Sequence, residues 1–318
     1  MNAFPHALKA AIQRYVAESR AGSLAEKTAQ MSQRYRQGGP SDSALDLAAY
    51  LTARLPATYA AVAFCLAELA RRNPQFTPQS VLDAGSGPGT AAWAAAVAYP
   101  DISTVTFLDN NARFLKLASS LAAQSDHPVL QQTRALHGDF NNPPKDVSAD
   151  LVVAAYALAE LPLSKSHDAA IALWHGCKNT LLIIEPGTPQ GFTRIHRVRA
   201  ALLAVGAHIV APCTHMNSCP MVAPDWCHFS VRLPRSRDHM HAKKATVSFE
   251  DEKFSYVIVS RQPVALQGAR ILAPPVETKT EIKFKLCAES GLTQPRIARC
   301  EKAEYKRDRK LEWGDLFQ

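Results

Sequence analysis

Three of the chain's seven cysteines lie within fifteen positions, in the segment PCTHMNSCPMVAPDWCHF at residues 212–229. Cys213 and Cys219 are separated by five residues, and Cys219 and Cys227 by seven. Zinc ribbons and knuckles usually have only two to four residues between paired cysteines. The wider spacing, interrupted by prolines, favours a loop wrapped around a larger inorganic group, and thiolates are the usual ligands of iron–sulfur clusters. The segment therefore predicts a metal centre.

A centre with four ligands needs one donor beyond these three. The thiol candidates are Cys287 and Cys300, and the imidazole candidates are His215 and His228. Zinc at the same cysteines and unmetallated structural thiols are the alternatives to an iron–sulfur cluster. An odd number of cysteines, in a chain that begins without a recognisable export signal, argues against a disulfide framework.

A glycine-rich loop, DAGSGPG at residues 83–89, follows an apolar strand-like stretch and precedes an alanine-rich, helix-like one. Gly85, Gly87 and Gly89 permit a tight turn whose backbone lies close to a ligand, and the N–H groups at a helix start can meet its polar atoms. The spacing is GxGxG and not the GxGxxG of dinucleotide-binding folds. A turn that binds nothing is the alternative.

Three acidic residues accompany the loop. Asp83 comes two residues before the first glycine, Asp109 ends the next apolar stretch, and Asp139 follows the third in HGDF. Asp109 can accept hydrogen bonds from ribose hydroxyls, and Asp139 can meet an adenine amine. The loop and its acids resemble the class I S-adenosylmethionine-dependent methyltransferases over about residues 76–208. The resemblance implies S-adenosyl-L-methionine as the cofactor of all six residues.

No residue stands out as the one that transfers a methyl group. NNPPK at 141–145 resembles the Asn/Asp-Pro-Pro-Tyr motif of amino-group methyltransferases, but it precedes the fourth apolar stretch and lacks the aromatic residue. After that stretch the chain reads AYALAELP at 155–162. There Tyr156 and Glu160 are the catalytic candidates, although the start of an amphipathic helix explains them equally well. Enzymatic activity stays open.

Hydrophobic periodicity predicts the elements that position these residues. Residues 5–75 have helical spacing, including a helix at 23–38, with a Gly-Gly-Pro-Ser break at 38–41. From residue 79, short apolar strands alternate with helices, which predicts an α/β fold with a doubly wound, Rossmann-like parallel sheet. The predicted strands are SVLDAG (80–85), VTFLDN (105–110), ALHGDF (135–140), ADLVVAAYAL (149–158) and TLLIIEPG (180–187).

After about residue 208 the alternation stops, and the strand-like segments FSYVIVSR, RILAPP and EIKFKLCA follow. We therefore predict three parts. Residues 1–75 form a helical N-terminal region, and residues 76–208 form the methyltransferase-like domain. Residues 209–318 form a small β-rich module that bears the metal cluster and faces RNA.

Charge favours a polyanionic partner. The 318-residue chain has a formal net charge of +8, and residues 209–318 carry +5 of it. Lys and Arg contact phosphates without reading base sequence, and aromatic residues that can stack on bases lie nearby. Three arginines at positions 194, 197 and 199 either extend the basic surface or face solvent. The predicted RNA-binding residues are Arg232, Arg235, Arg237, Lys243, Lys244, Lys306, Arg307, Arg309 and Lys310.

Other classes of protein are disfavoured. No stretch of 18 or more apolar residues lacks both charges and Gly or Pro breakers, so we expect no membrane association. The first twenty residues have neither an apolar h-region nor a small-residue cleavage site. We expect a monomer in the bacterial cytoplasm, or in the mitochondrial matrix if the chain is eukaryotic.

Six segments resemble the methyltransferase-like assembly factors of the mitochondrial small ribosomal subunit and their bacterial relatives. They are PATYAAV (56–62), VLDAGSGPGT (81–90), AYALAELP (155–162), IIEPGTPQGF (183–192), the C-x5-C-x6-W-C-H-F run and YKRDRKLEWGD (305–315). The resemblance implies a four-iron, four-sulfur cluster, which maps here to Cys213, Cys219, Cys227 and Cys287. Thr214 stands where a second proline is expected, which costs no ligand, and Cys300 is not required.

The resemblance implies a protein that binds S-adenosylmethionine and docks on small-subunit ribosomal RNA during assembly, with a structural cluster. One alternative is a non-catalytic assembly or checkpoint factor whose metal centre reports iron supply or oxidation. Another is a small-molecule methyltransferase with a zinc-stapled lid.

Overall fold

The computed structural model describes residues 4–19, 28, 30, 46–144, 146–243 and 245–318. The predicted helix at 23–38 lies almost wholly outside these residues, and so does Lys244, one of the predicted RNA-binding residues.

Three helices precede the first strand: α1 (His6–Glu18), α2 (Leu47–Ala53) and α3 (Leu55–Arg72). Asp46 caps α2, because its Oδ1 accepts the backbone N–H of Ala49 at 2.9 Å. Pro56 lies in the first turn of α3, where a proline costs no helical hydrogen bond. The predicted helical character of this region is confirmed for these segments.

Among the described residues, no single helix is long and apolar enough to cross a membrane. The pair α2 and α3, bent by 45°, reaches that length and composition only when the two are taken together.

The central sheet has eight strands in the order β3-β2-β1-β4-β5-β8-β6, and β7 pairs with β8. The first five strands are mutually parallel, and β8 runs antiparallel to its three partners. The strands are β1 (Ser80–Ala84), β2 (Thr104–Asp109), β3 (Arg134–His137), β4 (Ala149–Ala155), β5 (Cys177–Pro186), β6 (His208–Ala211), β7 (Phe229–Pro234) and β8 (Phe249–Ser260).

Helices cover both faces of this sheet. Because successive side chains of a strand point to opposite faces, Val81 joins one buried core and Leu82 the other. The first core also holds α1 to α3, α4 (Thr90–Ala98) and α5 (Ala112–Ala122). The second holds α7 (Ser166–Gly176) and α8 (Pro189–Ala204), and the four-residue α6 (Pro128–Gln131) precedes β3. The predicted doubly wound α/β fold is confirmed.

The sheet continues past residue 208, where the sequence predicts a boundary. Strand β8 pairs with β5 from Thr180 opposite Ser260 to Pro186 opposite Phe254. FSYVIVSR is therefore a strand of the central sheet and not of a separate module. Its nearly unbroken apolar run is typical of a strand that is buried on both faces. The three-part division stays a prediction.

Beyond β8, the chain forms two small antiparallel sheets, in the orders β10-β11-β14 and β13-β12-β9-β15. They bury a core of their own that includes Ile271, Phe284 and Tyr305. Their elements are β9 (Ala269–Ile271), β10 (Val276–Glu277), β11 (Glu281–Lys283), β12 (Leu286–Ala288), β13 (Gly291–Thr293), β14 (Arg296–Ala298), α10 (Lys302–Asp308) and β15 (Leu316–Phe317). The short helix α9 (Arg237–Ala242) lies between β7 and β8.

A buried arginine joins these parts. Arg270 of β9 is only 2% exposed, and its Nη2 donates to Oε1 of Glu68 in α3 at 2.6 Å. Its Nε donates to the carbonyl of Pro212 at 2.8 Å, and its Nη1 to that of Gly314 at 2.5 Å. One guanidinium therefore holds a helix of the N-terminal region, the start of the cysteine segment and the end of the chain.

We expect Arg270→Met to lower the free energy of unfolding by about 3–5 kcal/mol, because Glu68 would keep a buried charge without its main partner. Urea unfolding measures the change. The control is Arg134→Met, which removes an ion pair to Asp146 whose side chains are 55% and 69% exposed and should cost less than about 1 kcal/mol. Equal stability of the two variants would contradict a central role for Arg270.

Candidate cofactor and metal site

The glycine loop joins β1 to α4 in a conformation that requires glycine. Gly85, Gly87 and Gly89 have φ angles of 66°, 52° and 81°, a region that other residues rarely adopt. A Cβ on Gly85 would lie 2.5 Å from the Cβ of Ala157, and one on Gly89 would lie 2.9 Å from the ring of Phe107. Close packing therefore fixes the first and third glycines.

Gly87 has more space around it than the other two. A Cβ there would meet the Tyr50 hydroxyl at 3.7 Å, an ordinary contact. Its N–H donates to Oδ2 of Asp109 at 2.7 Å. Tyr50 belongs to α2, so the helical N-terminal region reaches the loop. The sequence analysis missed this residue, because a lone tyrosine in an apolar helix carries no motif.

The first two acids bind the loop to its neighbours. Oδ2 of Asp83 accepts the backbone N–H of Ala92 at 3.0 Å, and Oδ1 of Asp109 accepts that of Asn111 at 2.8 Å. Burial raises the pKa of Asp83 to about 8, and the negative charge of Asp109 adds to the shift. Burial also raises the pKa of Asp109. The two carboxyl groups thus lie close together in a low-dielectric pocket.

Asp139 lies at the same edge of the sheet. It comes two residues after His137, which stands opposite Asp109 in the pairing of β2 with β3. Its Oδ1 accepts the backbone and side-chain N–H groups of Asn141 at 2.8 and 2.6 Å. The three acids therefore follow or end neighbouring parallel strands, at the carboxyl edge where open α/β sheets bind ligands. Their contacts to a cofactor remain predictions.

The catalytic candidates lie just after β4. Tyr156 has a φ of 61°, and its hydroxyl donates to Oε1 of Glu252 at 2.7 Å. Arg54 lies over the Tyr156 ring at 4.3 Å and is 3.1 Å from the same Glu252 oxygen. Glu160 is exposed and ends a single 3-10 turn, Leu158–Glu160. The Tyr156 hydroxyl is therefore already engaged within the protein, and its role stays a prediction.

The four predicted metal-binding cysteines line one cavity of about 40 Å³. Cys213 and Cys219 come from the loop after β6, Cys227 from the segment before β7, and Cys287 from β12. Residues more than sixty positions apart in sequence are thus brought together. Cys300 is exposed and does not line this cavity.

The thiols affect one another electrostatically. Burial raises the pKa of Cys219, of Cys227 and, to about 12, of Cys287, and the other thiols of the group add to each shift. These groups are therefore neutral thiols at pH 7 unless a cation stabilises the thiolates. Among the described residues, no set of three or more His, Cys, Asp or Glu side chains is arranged to hold a single metal ion.

The two histidine candidates differ in position. His215 is 4% exposed, and its Nε2 lies 3.4 Å from Sγ of Cys287. The His228 ring packs between Trp226, stacked at 5.1 Å, and Trp313, edge-on at 4.9 Å. His215 therefore contacts a thiol, whereas His228 is part of an aromatic stack.

The arginines of α8 do not behave as the sequence analysis predicts. Arg194 and Arg199 are 6% and 5% exposed, so both proposed roles, basic surface and solvent-facing side chain, are wrong for them. Arg194 donates to backbone carbonyls after β4, and Arg199 to carbonyls of the cysteine loop at 3.1 and 2.8 Å. Periodicity missed them because buried arginines that pair with backbone carbonyls have no pattern of their own. Arg197 is exposed.

The first basic stretch is largely paired within the protein. Arg232 is bidentate to Asp251, at 2.7 and 2.9 Å. Arg235 and Lys243 both pair with Glu250. Burial opposes the charge of Glu250, but hydrogen bonds from His239 and Lys243 outweigh it and lower the pKa of Glu250 to about 2. Arg237 is exposed.

The second basic stretch lies on and after α10. Lys306, Arg307, Arg309 and Lys310 are all exposed. Arg307 is bidentate to the buried Asp308, at 2.6 and 2.7 Å. The tail therefore presents its positive charges to solvent more openly than the first stretch does.

We expect Gly85→Ala to lower the free energy of unfolding by about 2–5 kcal/mol, because a left-handed residue would also clash with Ala157. The matched control is Gly206→Ala, which has a φ of +83° but no atom within 4 Å of the added Cβ and should cost about 1–2 kcal/mol. Thermal and urea unfolding measure both. If the two changes cost the same, the tight packing of the loop would be contradicted.

Comparison with known proteins supports one family. The model of the family described as "Mitochondrial small ribosomal subunit Rsm22" matches residues 44–318. The human protein "Ribosome assembly protein METTL17, mitochondrial" is 28% identical over 287 residues, which is 84% of this chain and 61% of that protein. The fission yeast (Schizosaccharomyces pombe) "Rsm22-cox11 tandem protein 2, mitochondrial" is 26% identical over 85% of this chain and 42% of its own length. The chain thus spans less than two thirds of these relatives.

Solved structures with a similar fold are methyltransferases. Magnesium protoporphyrin IX methyltransferase from Synechocystis, solved with bound S-adenosylmethionine, is 12% identical, with a TM-score of 0.46 and coverage of 82% of this chain and 100% of that one. A putative RNA methyltransferase from Pyrococcus horikoshii is also 12% identical, with a TM-score of 0.39 and coverage of 62% and 80%. The match over residues 44–318 is decisive: this chain belongs to the Rsm22 family of methyltransferase-like mitochondrial ribosome assembly proteins.

Proposed function

We propose that this protein acts in the assembly of the small ribosomal subunit, where it binds S-adenosylmethionine at the glycine loop and contacts ribosomal RNA. A four-iron, four-sulfur cluster on Cys213, Cys219, Cys227 and Cys287 organises the RNA-facing side. The observation that carries the proposal is the convergence of these four thiols on one cavity within a methyltransferase-like fold. The compartment is the mitochondrial matrix in a eukaryote and the cytoplasm in a bacterium.

The cofactor proposal rests on the loop. Gly87 has space for a ligand beside its backbone, and Asp109, whose carboxylate reaches its N–H, ends the adjacent strand. Together with Asp83 and Asp139, they form an acidic edge next to a helix start, suited to a ligand with hydroxyl and amine donors. Tyr50 is added to this set because it lies over the loop.

The cluster proposal rests on the chemistry of the donors. All four are cysteines, and thiolates are the usual ligands of iron–sulfur clusters. A zinc ion would need its sulfurs about 2.3 Å from one point, and no described group is arranged around a single ion in this way. This favours an object larger than an ion. When bound, the cluster would supply four metal–sulfur bonds that join the loop after β6 to β12.

The RNA proposal rests on the exposed tail. Lys306, Arg309 and Lys310 are exposed beside α10, so they are available to phosphates. Tyr305 is 8% exposed, so it belongs to the local core and does not stack on bases. The charged residues of the first stretch, largely paired to acids, contribute less.

A second candidate function is a non-catalytic assembly or checkpoint factor. It is favoured by Tyr156, since Glu252 and Arg54 hold its ring and hydroxyl within the protein. Transfer of labelled methyl groups from S-adenosylmethionine to small-subunit RNA separates the two candidates. Labelled RNA would identify an enzyme, and cofactor binding without transfer would identify a factor. A small-molecule methyltransferase would show neither RNA labelling nor RNA binding.

We expect the double substitution Arg309→Ala and Lys310→Ala to weaken binding of small-subunit RNA and to flatten its salt dependence by about 0.7 per lost phosphate contact on single strands. The control is Lys116→Ala, an exposed lysine on α5, which should leave affinity and salt slope unchanged. Filter binding at several salt concentrations measures both. An unchanged slope in the double variant would argue against the tail as the RNA-contacting surface.

A further inference from the structure

One imidazole lies against the wall of the four-cysteine cavity. Nε2 of His215 is 3.4 Å from Sγ of Cys287, within the distance expected for a hydrogen bond to sulfur. The side chain is 4% exposed, and its Nδ1 has no hydrogen-bond partner among the described residues. The Nε2 contact with Cys287 is thus the polar contact recorded for this ring.

The backbone holds His215 in place from two sides. Arg199 donates to the carbonyl of His215 at 3.1 Å and to that of Asn217 at 2.8 Å. On the other side, the hydroxyl of Thr214 donates to the carbonyl of Cys287 at 3.4 Å. The ring is therefore aimed at the cysteine by a loop that is fixed to both α8 and β12. A surface histidine that met sulfur by chance would lack this support.

The direction of the hydrogen bond follows from the state of the sulfur. As a cluster ligand, Cys287 is a thiolate, which accepts hydrogen bonds and cannot donate them. The shared proton must then sit on Nε2. We propose that His215 is not a ligand but the N–H donor to the Cys287 sulfur, and that this hydrogen bond tunes the reduction potential of the cluster. This inference rests on the cluster of the proposed function.

A donor to a ligand sulfur has a predictable effect. It withdraws electron density from the sulfur and so stabilises the more negative, reduced form of the cluster, and hydrogen bonds to the sulfurs are one of the factors that set cluster potentials. Loss of this bond should lower the potential. A tenfold change in the ratio of oxidised to reduced cluster corresponds to about 59 mV for one electron.

The test compares four full-length proteins purified without oxygen: wild type, His215→Phe, His215→Gln and His196→Phe. Phenylalanine keeps a ring but has no donor, whereas the glutamine amide restores one. His196 lines the same cavity but packs on Phe192, with ring centroids 5.8 Å apart, so it is the matched control. Iron and sulfide content is measured first, and then the midpoint potential by titration with dithionite.

We expect all four proteins to hold iron and sulfide equally, with His215→Phe lowered in potential by up to the tenfold equivalent. His215→Gln and His196→Phe should stay near the wild type. A loaded His215→Phe with the wild-type potential would overturn the inference while leaving the cluster intact. A wild type without iron and sulfide would overturn both.

If His215→Phe loses its iron, the glutamine variant decides. A loaded His215→Gln protein would support a donor role, because the amide restores the hydrogen bond. An equally empty His215→Gln protein would reduce His215 to a packing residue and overturn the inference.

Discussion

The guanidinium of Arg270 is the interaction on which the rest of the arrangement depends. It is 2% exposed, and its partners are a carboxylate of α3 and the carbonyls of Pro212 and Gly314. A charge of this kind is tolerated in a protein interior only when it is paired and fully hydrogen-bonded. Its partners therefore cannot move independently, and Pro212 directly precedes the first cysteine of the cavity.

This constraint explains how distant cysteines share one cavity. Arg270 stands opposite Cys287 in the pairing of β9 with β12, and it fixes the residue before Cys213. Arg199 fixes the loop between Cys213 and Cys219 from the side of α8. Two buried cations thus flank a space that a negatively charged cluster would occupy, and each lowers the cost of charging the nearby thiols.

The same architecture couples the candidate cluster site to the candidate cofactor site. Glu68 and Tyr50 lie on consecutive helices of the N-terminal region, and Tyr50 covers the glycine loop. Arg270 binds the first of these helices to the cysteine segment. The helical region is therefore a shared wall of both sites.

Much of this could be predicted from the sequence. The strand periods and the glycine spacing identify the sheet and its ligand-binding edge, because burial on two faces and left-handed turns leave local signatures. The cysteine run identifies its own loop. The partners Arg270, Arg199 and Tyr50 could not be predicted, since a buried arginine or a lone aromatic residue acquires its role only from long-range contacts. For the same reason, FSYVIVSR carries no signal that it joins the central sheet.

The central claim is that the four cysteines hold an iron–sulfur cluster. The most direct measurement is an absorption spectrum with iron, sulfide and zinc analysis of protein purified without oxygen, for the wild type and for Cys219→Ser. The account predicts about four irons and four sulfides per chain with a broad band near ~400 nm, all lost or strongly reduced in the variant. Colourless wild-type protein that carries one zinc, or no metal, would contradict it.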